Sequence, residues 1–180
     1  RAVIGEAQFM NQLHGDSVIV IDSIQSHVPT CDGLITTKSN LQLAVMVADC
    51  IPLLLTSKVA VAVVHVGRKG LMNSVALGAI AAMREIGATQ ISAVIGPSIC
   101  GRCYEVSQEI HDEVVALHPS AQAVTAQGTP ALDLPAALRV VLESSGVSIQ
   151  DESRCTLEDG NLYSYRRDGV TGRQAGIISL

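Results

Sequence analysis

Three side chains of the 180-residue sequence belong to the types that ligate a transition metal: His14 in NQLHGD, Cys50 in VMVADCIPLLL and His65 in VAVAVVHVG. Cys50 follows Asp49 in an otherwise apolar run. Burying an acid or a thiol without a partner is costly, so both need a neighbour, a metal or a substrate. Two imidazoles and a thiolate are good Zn²⁺ ligands, and three protein ligands leave a fourth position open, as catalytic zinc requires. The spacing is not that of a zinc finger. The same residues also read as a hydrogen-bonded core histidine beside an inert buried cysteine. Cys50 and His65 flank a predicted hairpin and can meet in space, whereas His14 must arrive from elsewhere.

Three further stretches carry chemistry. In GPSICGRCYEV, Cys100 and Cys103 form a CxxC. No thioredoxin-like signature surrounds it and no second CxxC completes a zinc site. Lying between a strand and a helix, it reads as a loop at the rim of a pocket, with Cys103 among the substrate-contacting candidates. In YSYRRDGVTGR, Arg166, Arg167 and Arg173 offer forked guanidinium groups suited to phosphate or carboxylate oxygens. The plain alternative is a solvated hairpin with an Arg–Asp168 pair of little energetic weight. In HVGRKGLMNSV, Arg68 and Lys69 precede a predicted helix, where backbone N–H groups and cations together favour an anion.

The elements that must position these residues alternate. SVIVID (17–22), LQLAVMVADC (41–50), IPLLLTS (51–57) and VAVAVVHV (59–66) read as strands, and TSK (56–58) as a hairpin turn. Pro52 is expected to end a strand or to mark an edge or bulge. Residues 71–87 have helical spacing and stop at Gly87, ISAVIG (91–96) is a buried strand, and 105–119 is an amphipathic helix. Another helix spans 132–146, with Asp133 as N-cap and Pro135 in its first turn. Two late strands are predicted near 161–167 and 174–180. Mixed strands and helices with a hairpin point to an α/β or α+β arrangement of sheets and helices, in one domain over 1–180.

Composition narrows the functional classes. Hydrophobic residues make up 48%, enough for a packed core. Aromatic residues are 2% with no Trp, so stacking platforms for bases are scarce. The formal net charge of −5 argues against a general nucleic-acid binder. No apolar run reaches the ~20 residues of a membrane helix. Five cysteines at irregular spacing fit reduced thiols in a cytoplasm better than a disulfide framework. No signal peptide is expected, and Arg1 in place of Met suggests a missing N-terminal piece.

Seven segments, NQLHG, DGLIT, ADCIPLLL, AVVHVGRKGL, IGPSICGRCYEV, LDL and YSYRRDGVTGR, occur in an order that resembles the YfiH-type, or laccase-domain, family of multicopper polyphenol oxidase-like proteins, which includes purine nucleoside phosphorylases. The resemblance runs from about residue 8 to the C-terminus. It implies a layered αββα fold and a zinc held by His14, Cys50 and His65, with copper the less favoured ion. It implies a site carrying Cys50, His65 and Asp49 that phosphorolyses purine nucleosides (adenosine, inosine, guanosine, methylthioadenosine) and deaminates adenosine. Lys69, Arg166, Arg167 and Arg173 are the phosphate candidates, and Asp49 orients a ligand or a sugar hydroxyl. The partners implied are nucleoside and phosphate, with no nucleic acid and no membrane, for a monomer or small homo-oligomer.

The resemblance also implies some tens of residues ahead of the His14 motif. Where the family has Trp-Arg after the second histidine, this chain has Arg68-Lys69, which removes an aromatic wall. Three rival readings follow from the same residues. One is a metal-free cysteine hydrolase using Cys50 with His65 as base. Another is a copper oxidase, for which five histidines are few and His27, His111 and His118 look peripheral. The third is a nucleoside-binding protein without turnover.

Overall fold

The computed structural model describes residues 6–180; residues 1–5, the start of the expected domain, lie outside the described residues. The strands are β1 (Ala7–Gln8), β2 (Val18–Val20), β3 (Gly33–Thr36), β4 (Gln42–Val47), β5 (Ile51–Thr56), β6 (Val61–Val66), β7 (Ser92–Ile95), β8 (Gln122–Val124), β9 (Pro130–Leu132), β10 (Ser148–Asp151) and β11 (Gln174–Ile178). The helices are α1 (Arg68–Met72), α2 (Val75–Glu85), α3 (Gln108–Leu117), α4 (Leu134–Ser144) and α5 (Tyr165–Asp168). Six strands form a mixed sheet in the order β10-β7-β5-β6-β3-β2, and three form a second in the order β1-β4-β11. Strands β8 and β9 pair as a separate hairpin. The result is the expected mixed α/β layering of sheets and helices.

Strand β6 shows how the layers meet. Side chains alternate across a strand. Ala62, Val64 and Val66 enter the core that includes Leu71, Ile80, Met83 and Leu138 from α1, α2 and α4. Val61 and Val63 enter the other core, with Leu43, Val45 and Val47 of β4 from the smaller sheet. Both faces of β6 are therefore covered, which is why VAVAVVHV is nearly all apolar. Each large side chain buried this way contributes about 1.5–3 kcal/mol. His65 shares the parity of Val61 and Val63, so the strand carries its imidazole to the end of the inter-sheet core.

The expected hairpin is present: β5 and β6 pair antiparallel, with Thr56 opposite Val61. Pro52 does not end a strand. It lies inside β5 opposite His65, while the β7 ladder starts only at Leu53. The Pro52 carbonyl accepts from Gly96 N–H at 3.1 Å on that side, so its missing donor falls where the β7 ladder has not begun. The helix expected over 71–87 is two helices, α1 starting earlier at Arg68, with Ser74 between them at φ 62. Asp133 caps α4 as expected, its carboxylate accepting from Ala136 N–H at 2.9 Å.

The strand expected near 161–167 is instead a turn of helix, α5. Ser164 caps it, its hydroxyl accepting from Arg167 N–H at 3.2 Å. The Asp49 carboxylate, 117 residues away in sequence, accepts from Arg166 N–H at 2.7 Å. Two oxygens at the orphan donors of a first turn favour helix over extended chain.

Candidate metal and substrate site

The site is built outward from the β3–β6 ladder. Gly33 stands opposite Val64, so Asp32, just before β3, falls beside His65. The His65 backbone N–H donates to the Asp32 carbonyl at 2.8 Å. Their side chains meet as well, with His65 Nδ1 2.8 Å from Asp32 Oδ1 and only 3% and 1% of the two side chains exposed. The same carboxylate accepts from the backbone N–H groups of Leu13 (3.2 Å), His14 (3.0 Å) and Gly15 (2.7 Å). One buried acid thus orients an imidazole and shapes the loop that presents another.

That loop is fixed twice more. The Gln12 amide donates to the Met46 carbonyl at 2.8 Å and accepts from Met46 N–H at 3.0 Å, docking the loop on β4. His14 itself has φ 62, a left-handed conformation that side chains other than glycine adopt at a cost. Asp49 is also left-handed at φ 90, turning the chain between β4 and β5.

These turns bring Cys50 Sγ to 3.8 Å from His14 Nε2. The two histidine rings stand edge to face, centroids 4.6 Å apart. One ligand atom each from His14, Cys50 and His65 lie within 4.8 Å of one another. Nitrogen and sulfur ligands on one tetrahedral zinc stand roughly 3.6 Å apart, given their bond lengths. The His14–Cys50 separation matches that spacing. Gly67 leaves the room: a Cβ there would lie 3.0 Å from Cys50 Sγ and 3.1 Å from His14 Cδ2. The donor set fits a metal of the zinc type, and the carboxylate–histidine pair Asp32–His65 is the usual outer support of such a ligand.

The electrostatics agree. Burial opposes ionisation of Asp32, but hydrogen bonds from His65, Gly15 and His14 hold its carboxyl below the ordinary range. Burial pushes the His65 imidazole below its usual value, against the pull of Asp32 and with the help of His14. His65 is therefore neutral, with Nδ1–H on Asp32 and Nε2 available. Burial, then the charges of Asp49 and Asp32, push the Cys50 thiol up to about 12, against the Arg173 charge. Without a cation Cys50 is a thiol and a poor nucleophile, which weighs against the metal-free hydrolase reading.

His14, Cys50 and His65 line a cavity of about 560 Å³, within the ordinary range for small-molecule sites. Tyr104, Tyr165, Arg166 and Arg173 line it as well. The Arg166 guanidinium sits over the Tyr104 ring, 5.3 Å from its centroid, and also donates to the Glu105 carbonyl at 2.9 Å. The Tyr104 hydroxyl is pushed up by burial, while Arg68 and Arg166 pull it down. Asp49 lines the cavity with both oxygens engaged, one by the Thr156 hydroxyl at 2.6 Å and the other by Arg166 N–H. The cavity is thus lined by two aromatic rings, Tyr104 and Tyr165.

The family model described as multi-copper polyphenol oxidoreductase laccase matches residues 2–180. The chain belongs to this YfiH-type laccase-domain family. It is 45% identical over 179 residues to the purine nucleoside phosphorylase SCO2081 of Streptomyces coelicolor, covering 96% of this chain and 74% of that protein. It is 42% identical over 180 residues to the purine nucleoside phosphorylase ORF3 of Streptomyces griseus, covering 96% and 73%. Among solved structures, the Neisseria meningitidis protein NMB0706 superposes with TM-score 0.85 at 32% identity, covering 97% of this chain and 74% of that one. The Bacillus licheniformis hypothetical protein YfiH gives TM-score 0.85 at 29% identity, covering 96% and 73%.

In this laccase-domain chain the remaining candidates from sequence fall elsewhere. Lys69 is exposed on α1 and does not line the cavity. Arg167 turns away from it. Its guanidinium donates to the carbonyls of Thr156 (3.1 Å), Leu157 (3.3 Å), Asp159 (3.3 Å) and Leu162 (2.7 Å), and it pairs with Asp168. Cys103 sits in a separate cluster with Cys100, Cys155 and Glu158. Asp32, Gln12, Tyr104 and Thr156 escaped the sequence reading. Only Asp32 left a signal there, an acid immediately ahead of the fully buried GLIT. Among the described residues no helix is long and apolar enough to cross a membrane.

Proposed function

We propose that the chain is a purine nucleoside phosphorylase that holds a divalent metal, zinc in our reading, on His14, Cys50 and His65. The observation that carries this reading is the convergence of those three ligand atoms within 4.8 Å beside a cavity that also offers two tyrosines and two arginines. Its relatives named purine nucleoside phosphorylase, at 45% and 42% identity, point the same way. When bound, the ion supplies Lewis-acid polarisation of a substrate oxygen or nitrogen.

In phosphorolysis a phosphate oxygen bonds to C1′ as the bond from C1′ to the purine nitrogen breaks, and the electron pair leaves with the base. Arg166 and Arg173 bind and orient the phosphate dianion. Tyr104 and Tyr165 flank the purine and exclude water. Asp49 acts as a positioning residue, since its carboxylate fixes Arg166 through the backbone and anchors Thr156. Adenosine deamination and cleavage of methylthioadenosine belong to the same cavity in this reading. Copper is the competing ion, because two imidazoles and a thiolate also suit it.

The test is to purify the protein, identify its bound metal by mass spectrometry, and follow adenosine, inosine, guanosine and methylthioadenosine with and without phosphate by chromatography. Phosphate-dependent release of free base, lost in Cys50→Ala together with one equivalent of bound metal, supports the proposal. Base release that persists without phosphate, or metal content unchanged in Cys50→Ala, overturns it. Copper as the native ion, with oxidation of phenols and no base release, returns the oxidase reading. Inosine formed from adenosine measures the deaminase activity separately.

A further inference from the structure

The CxxC of the sequence has partners that no spacing rule shows. Cys100 and Cys103 lie on the loop after β7, and Cys155 and Glu158 on the segment after β10. One ligand atom from each of the four lies within 4.8 Å of the others. Cys100 N–H donates to Cys155 Sγ at 3.5 Å, and Cys103 Sγ donates to Glu158 Oε1 at 3.5 Å. All three cysteines are free.

We propose that Cys100, Cys103, Cys155 and Glu158 form a second metal site, a closed tetrahedral one for Zn²⁺ or an ion of its class. Three sulfurs exclude the hard ions Mg²⁺ and Ca²⁺, which prefer oxygen. Four protein ligands leave no open position, so the site is structural and does not bind substrate. Loading releases the thiol protons to solvent as each sulfur becomes a thiolate on the ion. The pocket is part-way prepared for that charge. Burial and the neighbouring thiols push Cys100 and Cys103 up. Cys155 is held low against its burial by the backbone N–H groups of Cys100, Glu158 and Leu157. Arg102, 3.7 Å from Glu158, is the nearby counter-charge.

The position gives the site its consequence. Ser98 and Cys155 form an isolated parallel bridge, with Thr156 N–H donating to the Ser98 carbonyl at 3.0 Å. Thr156, next to Cys155, donates its hydroxyl to Asp49, and Ile99 N–H donates to the Asp49 carbonyl at 2.9 Å. An ion at the four ligands therefore ties together the two segments that hold Asp49 from either side. It braces the wall of the substrate cavity without touching substrate.

This site is independent of the first centre, and the test separates the two. The full chain carrying His14→Ala and Cys50→Ala is loaded with Zn²⁺, and bound metal is counted by mass spectrometry of the intact protein. One equivalent is expected to remain, and Co²⁺ in its place is expected to give an intense sulfur-to-metal charge-transfer band. Adding Cys103→Ser and Cys155→Ser should abolish both signals. No bound zinc in the first variant overturns the proposal, as does zinc retained in the second. Should the serine variant not fold, Glu158→Gln decides by zinc titration: affinity lower by about tenfold or more supports the site, and unchanged affinity overturns it. A disulfide among these three cysteines in zinc-loaded protein prepared without oxygen also overturns it.

Discussion

Asp32 Oδ1 lies 2.8 Å from His65 Nδ1 and 3.0 Å from the backbone nitrogen of His14, so one carboxylate sets both imidazoles. Asp32→Asn keeps the shape but places an amide among four donors. Zinc affinity at the first centre should fall about 10–100-fold, the usual effect of removing an outer partner of a ligand. Stability should fall by roughly 1–3 kcal/mol, because buried N–H groups lose their acceptor. Competition titration and chemical denaturation check the two. Unchanged zinc affinity would show that His65 needs no orienting carboxylate.

Gly67 has φ −91 and ψ −178, which any residue adopts. The cost of Gly67→Ala is therefore steric, a methyl 3.0 Å from Cys50 Sγ. We expect zinc binding and turnover to drop with far-ultraviolet dichroism and melting temperature of the metal-free protein nearly unchanged. Full zinc loading of Gly67→Ala would count against the metal position inferred between His14 and Cys50.

The two arginines of opposite placement should behave differently. Arg173→Ala should raise KM for phosphate by about 10–100-fold, the loss of a charge-assisted hydrogen bond, with little change in melting temperature. Arg167→Ala should lower the melting temperature, since it removes the guanidinium that ties together the carbonyls of Thr156, Leu157, Asp159 and Leu162. Steady-state kinetics against phosphate and calorimetry separate them. Equal phosphate KM in Arg173→Ala and parent would remove Arg173 from the phosphate site.

Thr156→Val deletes the 2.6 Å donor to Asp49 while keeping the side chain's shape. Asp49 then caps α5 less firmly, and Arg166 is less well placed. Turnover per bound zinc should fall while zinc content stays constant. Loss of zinc in parallel with turnover would assign Asp49 to the metal instead.

Acid should destabilise the metal-free protein in two stages. His65 has a folded value below its ordinary 6.5, so the unfolded chain binds its proton first and stability is lost as pH falls below about 6.5. Asp32 is likewise held below its ordinary 3.8 when folded, and its share is lost only below about 4. Urea midpoints across pH, in parent and in His65→Asn, test this. The higher-pH stage should be missing from the variant.

The three candidate ligands were legible as a group because their types are rare in apolar surroundings and because a hairpin visibly joins two of them. Residue type and local period carry that much. Asp32 was not legible, because an acid ahead of a strand looks like a turn residue until the β3–β6 ladder sets it beside His65. α5 was missed for a similar reason, since one of the two acceptors at its first turn is Asp49, far away in sequence. The cysteine pair at 100 and 103 looked incomplete because its remaining partners, Cys155 and Glu158, arrive by parallel pairing of distant segments. Lys69 and Arg167 show the converse: a cation's proximity in sequence says nothing about which way its side chain leaves the backbone, and neither lines the cavity.

His14, Cys50 and His65 are contributed by separate stretches of polypeptide: a loop ahead of β2, the turn between β4 and β5, and strand β6. An unfolded chain holds these donors far apart and offers an ion no comparable grip. If the proposed ion binds there, chelation follows complete folding, and each tenfold excess of free metal over its dissociation constant would add about 1.4 kcal/mol to the folded state. Scarcity of the ion would then lower resistance to heat and proteolysis as well as turnover.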